Sequence, residues 1–276
     1  MGRLQGNLSR LLTELNTYAQ GEPVCQPRLA APHADCEFVA RNLPLTHSRG
    51  AEAFRRICGL GDLLSRKELD KRGIMLIKAG GRLPLEVDLG TVDCVFTYAG
   101  PFRYPETSCG FVFDLRIEKV YGATAVATPF DSGGVVKHLR PHDPLPDQVA
   151  FLREHEFPVP AYRQYLEACL AVLFASPWEY LGKEGPDADG PIDIVENPRT
   201  PRAWTFEVRF KDRLPITGTL LAVFLPVAVA AEDWARAKIS SWTASGVDVR
   251  ILKAPIDGAW ERLCEESVSW IRDRIK

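Results

Sequence analysis

Two short segments, far apart in the sequence, carry side chains that could bind a ligand and act on it. The first places His47, Ser48 and Arg49 directly before a predicted helix. The second is the run 204–210, in which Glu207 stands among aromatic and β-branched residues. An imidazole or a hydroxyl can hydrogen-bond a sugar hydroxyl, and a carboxylate can accept a proton or stabilise developing positive charge.

Both segments also have a purely structural interpretation. His47 could be a hydrogen-bonded core histidine, and Ser48 could cap the helix that follows. Side chains in a strand alternate between its two faces, so Glu207 shares a face with Arg209. That face could be solvated, with the two side chains forming an ion pair.

A third segment, residues 98–104, follows a predicted strand and contains Tyr98, Arg103 and Tyr104. Aromatic side chains can stack on a planar ring, and an arginine can bind a pyrophosphate through two hydrogen bonds. Loop aromatics also serve as hydrophobic anchors. Both uses remain open from the sequence.

The elements that must position these residues are strands and helices in irregular order. Runs of apolar, aromatic and β-branched residues predict the strands, and apolar residues at helical spacing predict the helices. Such a mixture is typical of an α+β fold. The predicted strands are 38–45, 92–98, 110–117, 204–210, 219–225 and 247–252, the helices are 4–19, 50–57, 162–174, 232–242 and 259–275, and the long loops are 122–148 and 182–201.

Length and composition indicate one large soluble domain. The chain has 276 residues, 46% of them hydrophobic, and its formal net charge of −2 does not indicate a nucleic-acid binder. We divide it into residues 1–36, a leucine-rich amphipathic helix and an extended linker, and residues 37–276, a single α+β domain with a C-terminal helical extension.

The sequence also bears on compartment and cofactors. Its start lacks the apolar core of a signal peptide, and no apolar run is long enough to cross a membrane. Seven widely spaced cysteines without a Cys-x-x-Cys motif indicate reduced thiols. We therefore expect a cytoplasmic protein that does not contact membranes. No metal site is expected, since no Cys or His pair has ligand spacing around a turn.

Taken together, the segment 46–57 and the strand that carries Glu207 resemble motifs of the His-Tyr-Glu branch of ADP-ribosyltransferases. That branch includes the poly-ADP-ribose polymerases and diphtheria-type toxins. The resemblance spans roughly residues 38–225. It differs from the pattern at Ser48, which stands where glycine is usual, and at Arg49, which takes the place of Ser or Thr. It implies split, facing antiparallel sheets with flanking helices around an NAD cleft.

The resemblance also implies roles for individual residues. His47 and Ser48 would hold ribose hydroxyls of NAD, and Glu207 would stabilise the transition state. Tyr98, or alternatively Tyr104, would stack on the nicotinamide. Arg49 would be a catalytic or phosphate-binding arginine. Arg103, in the aromatic segment 98–104, would bind the pyrophosphate.

The function implied is that of an NAD-dependent ADP-ribosyltransferase, a glycosyltransferase that modifies a protein or nucleic acid or hydrolyses NAD. A toxin or defence effector role would fit a free-standing domain of this kind.

Two alternatives stay open. The first is an RNA 2′-phosphotransferase of the same superfamily, with Arg49, Arg55 and Arg56 converging near His47. The second is a non-catalytic binding or immunity-type module that docks through its N- or C-terminal helix. The oligomeric state cannot be predicted.

Overall fold

The structure is a computed structural model, which describes residues 2–74, 83–104, 107–159, 161–192, 200–256 and 258–275. Its strands are β1 Leu45–Arg49, β2 Asp62–Leu64, β3 Cys94–Ala99, β4 Cys109–Phe113, β5 Val126–Thr128, β6 Phe157–Pro158, β7 Glu207–Lys211, β8 Arg213–Pro215, β9 Leu220–Pro226 and β10 Asp248–Leu252.

The α-helices are α1 Gly2–Gly21, α2 Gln26–Ala30, α3 Cys36–Asn42, α4 Ala51–Leu60, α5 Arg66–Lys71, α6 Leu83–Asp88, α7 Arg116–Tyr121, α8 Leu145–Glu154, α9 Tyr162–Leu173, α10 Pro201–Trp204, α11 Val227–Ala230, α12 Asp233–Ala244 and α13 Ala259–Ile275. Short 3-10 turns cover Gly122–Thr124 and Pro177–Leu181, and Val135–Leu139 forms a π-helical turn. Across the described residues, no helix combines the length and the apolar character that a membrane span requires.

The strands confirm the α+β class. Within the described residues, eight of them form one sheet in the order β10-β9-β4-β1-β3-β7-β5-β6, while β2 and β8 pair separately. All neighbours in the large sheet are antiparallel except β9 and β10. The central pair β1–β3 is registered at only two positions, Leu45 with Ala99 and Thr46 with Tyr98. The sheet is therefore weakly joined at the point where the first motif lies.

Three predicted strand boundaries are wrong. The strand expected at 110–117 ends at Phe113, and Arg116 begins α7. The other two boundaries matter for the site. Residues 38–45 were expected to form the first strand, but helix α3 ends at Asn42 and β1 begins only at Leu45. His47 consequently lies in the middle of a strand and not in a turn after one. Likewise Pro201 begins a short helix, since proline suits the first helical turn, and β7 begins at Glu207 itself.

The two long loops differ from expectation as well. The segment 122–148 contains β5, the π-helical turn and the start of α8. The predicted loop 182–201 lies partly outside the described residues, because 193–199 are not described.

Helix α1 is part of the domain core. Its inward face carries Leu8, Leu11 and Leu15, each no more than 2% exposed, and it packs on α9 and β6. The expected extended linker includes the short helix α2. The leucine face that could have docked on a partner is thus covered by the protein's own chain.

Truncating one of these leucines tests that description. We expect Leu11→Ala to lower the free energy of unfolding by about 2–5 kcal/mol, since it removes a fully buried side chain from a packed core. Urea titration followed by circular dichroism measures the loss. Gln5→Ala on the exposed face of α1 is the matched control and should change stability by less than about 0.5 kcal/mol. Equal, small effects for both variants would contradict the packing of α1 in the core.

Candidate active site

A cavity of about 1170 Å³ opens at one face of the large sheet. It exceeds the 300–1,000 Å³ that is usual for small-molecule sites, so it can hold a dinucleotide-sized ligand with space beside it. Its lining comes from the β1 end, the β3 end, the turn after β5, the start of α10 and helix α13. The lining residues with chemical potential include Ser48, Arg49, Tyr98, Tyr104, Asp131 and Arg202.

The strand register brings the predicted motifs side by side. Thr46 of β1 pairs with Tyr98 of β3, Tyr98 pairs with Glu207 of β7, and Glu207 pairs with Thr128 of β5. Residues directly opposite each other in antiparallel strands share a face, with Cα atoms about 4.5–5.5 Å apart. The four side chains therefore form one row across the sheet, on the side that faces the cavity.

Glu207 is completely buried and does not itself line the cavity. One carboxylate oxygen, Oε2, accepts a hydrogen bond of 3.3 Å from the backbone N–H of Ser132. The other, Oε1, lies 3.3 Å from Nε of Arg209. The possibility that this face of β7 is solvated is thus excluded, although the ion pair between Glu207 and Arg209 is present. Asp131 and Ser132, which do line the cavity, lie between Glu207 and the open space.

This environment changes the acidity of Glu207. Burial, together with the neighbouring Asp131 carboxylate, raises the pKa of its carboxyl to about 8 against the opposing effects of Arg209 and the Ser132 amide. A carboxyl with a pKa near neutrality can exchange a proton at working pH. Such a group beside a cavity marks a candidate functional site.

His47 lies in the weakly joined part of the sheet between β1 and β3. Its Nδ1 is 2.7 Å from the carbonyl oxygen of Phe96, and since a carbonyl only accepts, Nδ1 carries the proton. Burial, together with the charge of Arg49, holds the pKa of His47 well below its usual range, so the ring is neutral. Its Nε2 is buried and has no hydrogen-bond partner among the described residues. This nitrogen can therefore accept a hydrogen bond from a hydroxyl but cannot donate one.

Ser48 and Arg49 complete the first motif. Ser48 is 5% exposed and lines the cavity, as does the exposed Arg49, whose Nη1 donates 3.2 Å to the Ser48 carbonyl. Arg55 and Arg56 do not line the cavity. They lie near Glu232 and Glu52 respectively, so the basic cluster required for the 2′-phosphotransferase alternative does not form.

The two candidate tyrosines contact each other. The rings of Tyr98 and Tyr104 are 4.4 Å apart between centroids, with an interplanar angle of 36°. Burial raises the pKa of both phenols well above the usual value, so both stay protonated. The guanidinium of Arg202 lies 5.6 Å from the Tyr104 ring and 3.6 Å from the Asp131 carboxylate. These groups make an aromatic and cationic wall directly beside Glu207.

Arg103 has a structural role that the sequence did not indicate. Its two terminal nitrogens donate to the carbonyl oxygens of Tyr180 and Gly182, and its guanidinium lies 3.9 Å from the centre of the Trp204 ring. These contacts fix the loop after β3 to the Pro177–Leu181 turn. Arg103 lines the cavity, but these contacts occupy both of its terminal nitrogens.

Several residues of the site were missed from the sequence. Asp131, Ser132 and Arg202 come from irregular segments, and no local pattern marks them. Arg209 was identified only as a pair for Glu207, and the buried Glu156 beside it was not identified at all. The available signal for Arg209 was a charged residue between Val208 and Phe210, on the same face of the strand as Glu207.

Comparisons with known proteins gave similarity only at the level of three-dimensional structure. No protein-family model matches this sequence. No curated protein matches it at a significant level. The chain is similar to solved structures of DarT from Thermus sp. 2.9, and three of these are complexes with different ligands. The complex with ADP-ribosylated single-stranded DNA has a TM-score of 0.43 and 13% identity, covering 77% of this chain and 95% of that chain.

The complex of the same DarT with NAD+ has a TM-score of 0.40 and 14% identity, and the complex with carba-NAD+ has 0.39 and 13%. Each covers 77% of this chain and 96% of that chain.

As for metals, the described residues contain no group of three or more His, Cys, Asp or Glu side chains placed to hold an ion.

Proposed function

We propose that this protein is an NAD-dependent ADP-ribosyltransferase that modifies a nucleic acid. One observation carries the proposal: the sheet register puts Thr46 of the first motif, Tyr98 and the buried carboxyl of Glu207 in one row beside a large cavity, which Ser48 and Arg49 also line. The chemistry of that row suits a substrate whose reacting carbon becomes positively charged. NAD is such a substrate, because its nicotinamide leaves from the ribose with build-up of oxocarbenium character.

The reaction breaks the bond between ribose C1′ and the nicotinamide nitrogen. The bonding electron pair moves to that nitrogen and neutralises the pyridinium ring. A nucleophile on the acceptor then forms a bond to C1′ and loses its proton. The Glu207 carboxylate would stabilise the positive ribose in the transition state, and it or Asp131 would take the proton.

Residues close to the row would bind the substrate. His47 is the neighbour of Thr46 and does not line the cavity, so the junction of β1 and β3 would have to open for its Nε2 to accept a hydrogen bond from a ribose hydroxyl, which would satisfy its unpartnered acceptor. Ser48 would contact a second hydroxyl. Arg49 and Arg202, both at the cavity, would bind the pyrophosphate in place of Arg103.

Contact between Glu207 and a substrate requires a local movement. Glu207 has no exposed surface, and the Ser132 amide occupies one of its oxygens. The turn 130–134 must therefore move away from Glu207 when the substrate binds. Its two consecutive glycines, Gly133 and Gly134, lack side chains that would oppose such a change.

We expect Tyr98→Ala to raise the Kd for NAD by about 10- to 100-fold, because it removes a ring that would stack on nicotinamide, a contact worth about 1–3 kcal/mol. Tyr104→Ala should weaken binding less, since Tyr104 would support Tyr98 from behind. Isothermal titration calorimetry measures both. If Tyr104→Ala weakens binding more than Tyr98→Ala, Tyr104 is the stacking residue. If neither variant changes the Kd, neither tyrosine belongs to an NAD site.

The choice of nucleic acid as acceptor rests on the charge of the cavity wall. Cationic side chains outnumber carboxylates there, despite the chain's net charge of −2. Phosphates of an acceptor strand would be attracted to such a surface. The cationic residues, besides the structurally engaged Arg103, are Arg49, Lys137, Lys183, Arg202 and Arg272.

The acceptor is tested by transfer of a label. The protein is incubated with NAD carrying ³²P in its adenylate phosphate, together with single-stranded DNA, single-stranded RNA or a mixture of proteins. We expect label to enter a nucleic acid and to do so less as salt rises. Label entering protein alone would overturn the choice of acceptor, while free ADP-ribose as the only product would make the protein an NAD glycohydrolase.

A further inference from the structure

A second fully buried carboxylate, Glu156, lies next to Arg209 and does not line the cavity. Three arginines contact it. Arg209 Nη2 lies 2.9 Å from its Oε1, Arg153 Nη1 lies 2.5 Å from the same oxygen, and Arg3 Nη2 lies 2.9 Å from Oε2. Glu156 itself is 0% exposed. One buried carboxylate thus receives three charge-assisted contacts.

Arg209 connects this carboxylate to the proposed catalytic one. It is 1% exposed, and the same guanidinium that bonds Glu156 through Nη2 places Nε 3.3 Å from Glu207 Oε1. Two carboxylates thus share one buried positive charge. Since Coulomb interactions are strong where water is excluded, any change in the charge of Glu156 alters how strongly Arg209 attracts a proton-free Glu207.

The N-terminal helix α1 contacts Glu156 and the residues around it. Besides Arg3, helix α1 supplies Asn7, whose Nδ2 donates to the carbonyl oxygens of Arg153 and Glu156, both at 2.8 Å. Arg10 donates to the Glu154 carbonyl at 2.7 Å. Three residues at the end of α8 and just after it, Arg153, Glu154 and Glu156, are therefore held against α1, more than 140 positions earlier in the sequence.

We propose that the buried series Arg3–Glu156–Arg209–Glu207 controls the charge of the catalytic carboxylate, so that helix α1 is a positioning element of the active site. This inference rests on the proposed function only where it calls Glu207 catalytic. The electrostatic linkage itself is a property of the folded protein without substrate. Glu156 and Arg209 are positioning residues, since they act on the substrate only through Glu207.

The linkage predicts changes of opposite sign. Glu156→Gln removes a negative charge that competes for Arg209, so it should lower the pKa of Glu207. Arg209→Met removes the nearest positive charge, so it should raise that pKa. An opposite charge within about 4–6 Å shifts a pKa by about 1–3 units, so Arg209→Met should raise the pKa of Glu207 by about one unit or more, and Glu156→Gln, which acts through Arg209, should lower it by less. A merely structural role would lower stability in both variants without moving the pKa in opposite directions.

Other groups also face Glu207 and stay constant in these variants. Asp131 lies beside it on the cavity side and raises its pKa. Tyr98, Tyr104 and Cys94 interact with it electrostatically, and burial keeps each of these three in its neutral form by raising its pKa. None of the four contacts Glu156 through a hydrogen bond or ion pair in the described structure, so the proposed variants act through Arg209.

The experiment measures the pKa of Glu207 without any substrate. Melting temperature is recorded from pH 5 to pH 9 for each protein and for the same protein carrying Glu207→Gln, and the difference curve gives the titration of Glu207. We expect the midpoint to fall in Glu156→Gln and to rise by about a pH unit or more in Arg209→Met. Unchanged midpoints, or shifts of the same sign, would overturn the linkage.

A pair of variants on helix α1 tests its part in the series. Arg3→Gln removes a partner of Glu156 and should raise the Glu207 midpoint by a few tenths of a unit. Arg10→Gln, the matched control, removes an arginine of the same helix that bonds only a backbone carbonyl and Glu14. It should leave the midpoint in place. This pair also keeps the test valid if Arg209→Met does not fold.

The outcome separates this inference from the proposed function. Midpoints that move as expected in a protein that neither binds nor cleaves NAD would establish the linkage and refute the transferase. If the protein cleaves NAD but the Glu207 midpoint is the same in all variants, the transferase proposal would stand and the linkage would be refuted.

Discussion

Glu207→Gln is expected to lower the rate of nicotinamide release from NAD by at least about 100-fold at saturating NAD. Removing one preorganised electrostatic contact to a transition state costs about 10²–10³ in rate, and the Glu207 carboxylate would be the group nearest the charged ribose. Glutamine keeps the size of the side chain and the capacity to accept from the Ser132 amide. The Kd for NAD should therefore stay within about threefold of the wild-type value.

A matched control separates chemistry from folding. Glu118 is also a buried carboxylate, bonded by Tyr162 and Arg163 away from the cavity. Glu118→Gln should reduce stability while leaving kcat within a few-fold, provided that the assay temperature lies well below melting. Equal losses of kcat in Glu118→Gln and Glu207→Gln would show that the Glu207 effect reports damage to the fold.

The second large effect concerns stability against pH. The pKa of Glu207 is about 8 in the folded protein and 4.5 as the ordinary value. Between these two values the folded state binds the proton and the unfolded state does not. The stability that this group contributes is therefore fully present below pH 4.5 and is lost as pH rises through about 8.

From pH 5 to pH 9 we thus expect the wild type to lose on the order of 4 kcal/mol of unfolding free energy relative to Glu207→Gln. Urea titrations of both proteins at the two pH values measure the difference. Over the same range kcat/KM for NAD should rise in the wild type, because the carboxylate is the active form. A wild type whose stability follows that of the Gln variant across the range would show that Glu207 is ionised throughout.

Much of the fold could be predicted because its elements are long and strongly patterned. The closing helix was expected at 259–275 and α13 covers those residues; the expected strand at 219–225 is β9, displaced by one residue. The short apolar run after residue 36 failed, since a few apolar residues fit a buried helix face as well as a strand. The buried residues there are Cys36, Val39 and Ala40, three and four positions apart as on one face of a helix, while Phe38 is exposed.

The site could be predicted only in the parts that lie on strands. The period-two pattern of β7 correctly placed Glu207 and Arg209 on one face, but pattern alone could not show that this face is buried. What buries it is the turn that carries Asp131 and Ser132, about 75 residues earlier. The partner of Arg209, Glu156, is likewise distant in sequence. Contacts of this kind follow from the packing of the whole chain and leave no local signature.

The most direct test of the central proposal is the initial rate of nicotinamide release when purified wild-type protein is mixed with NAD, with and without single-stranded nucleic acid. We predict steady release in the presence of nucleic acid, together with a rise in melting temperature on addition of NAD alone. No release under either condition, with no effect of NAD on melting temperature, would contradict the assignment of this cavity as an NAD site.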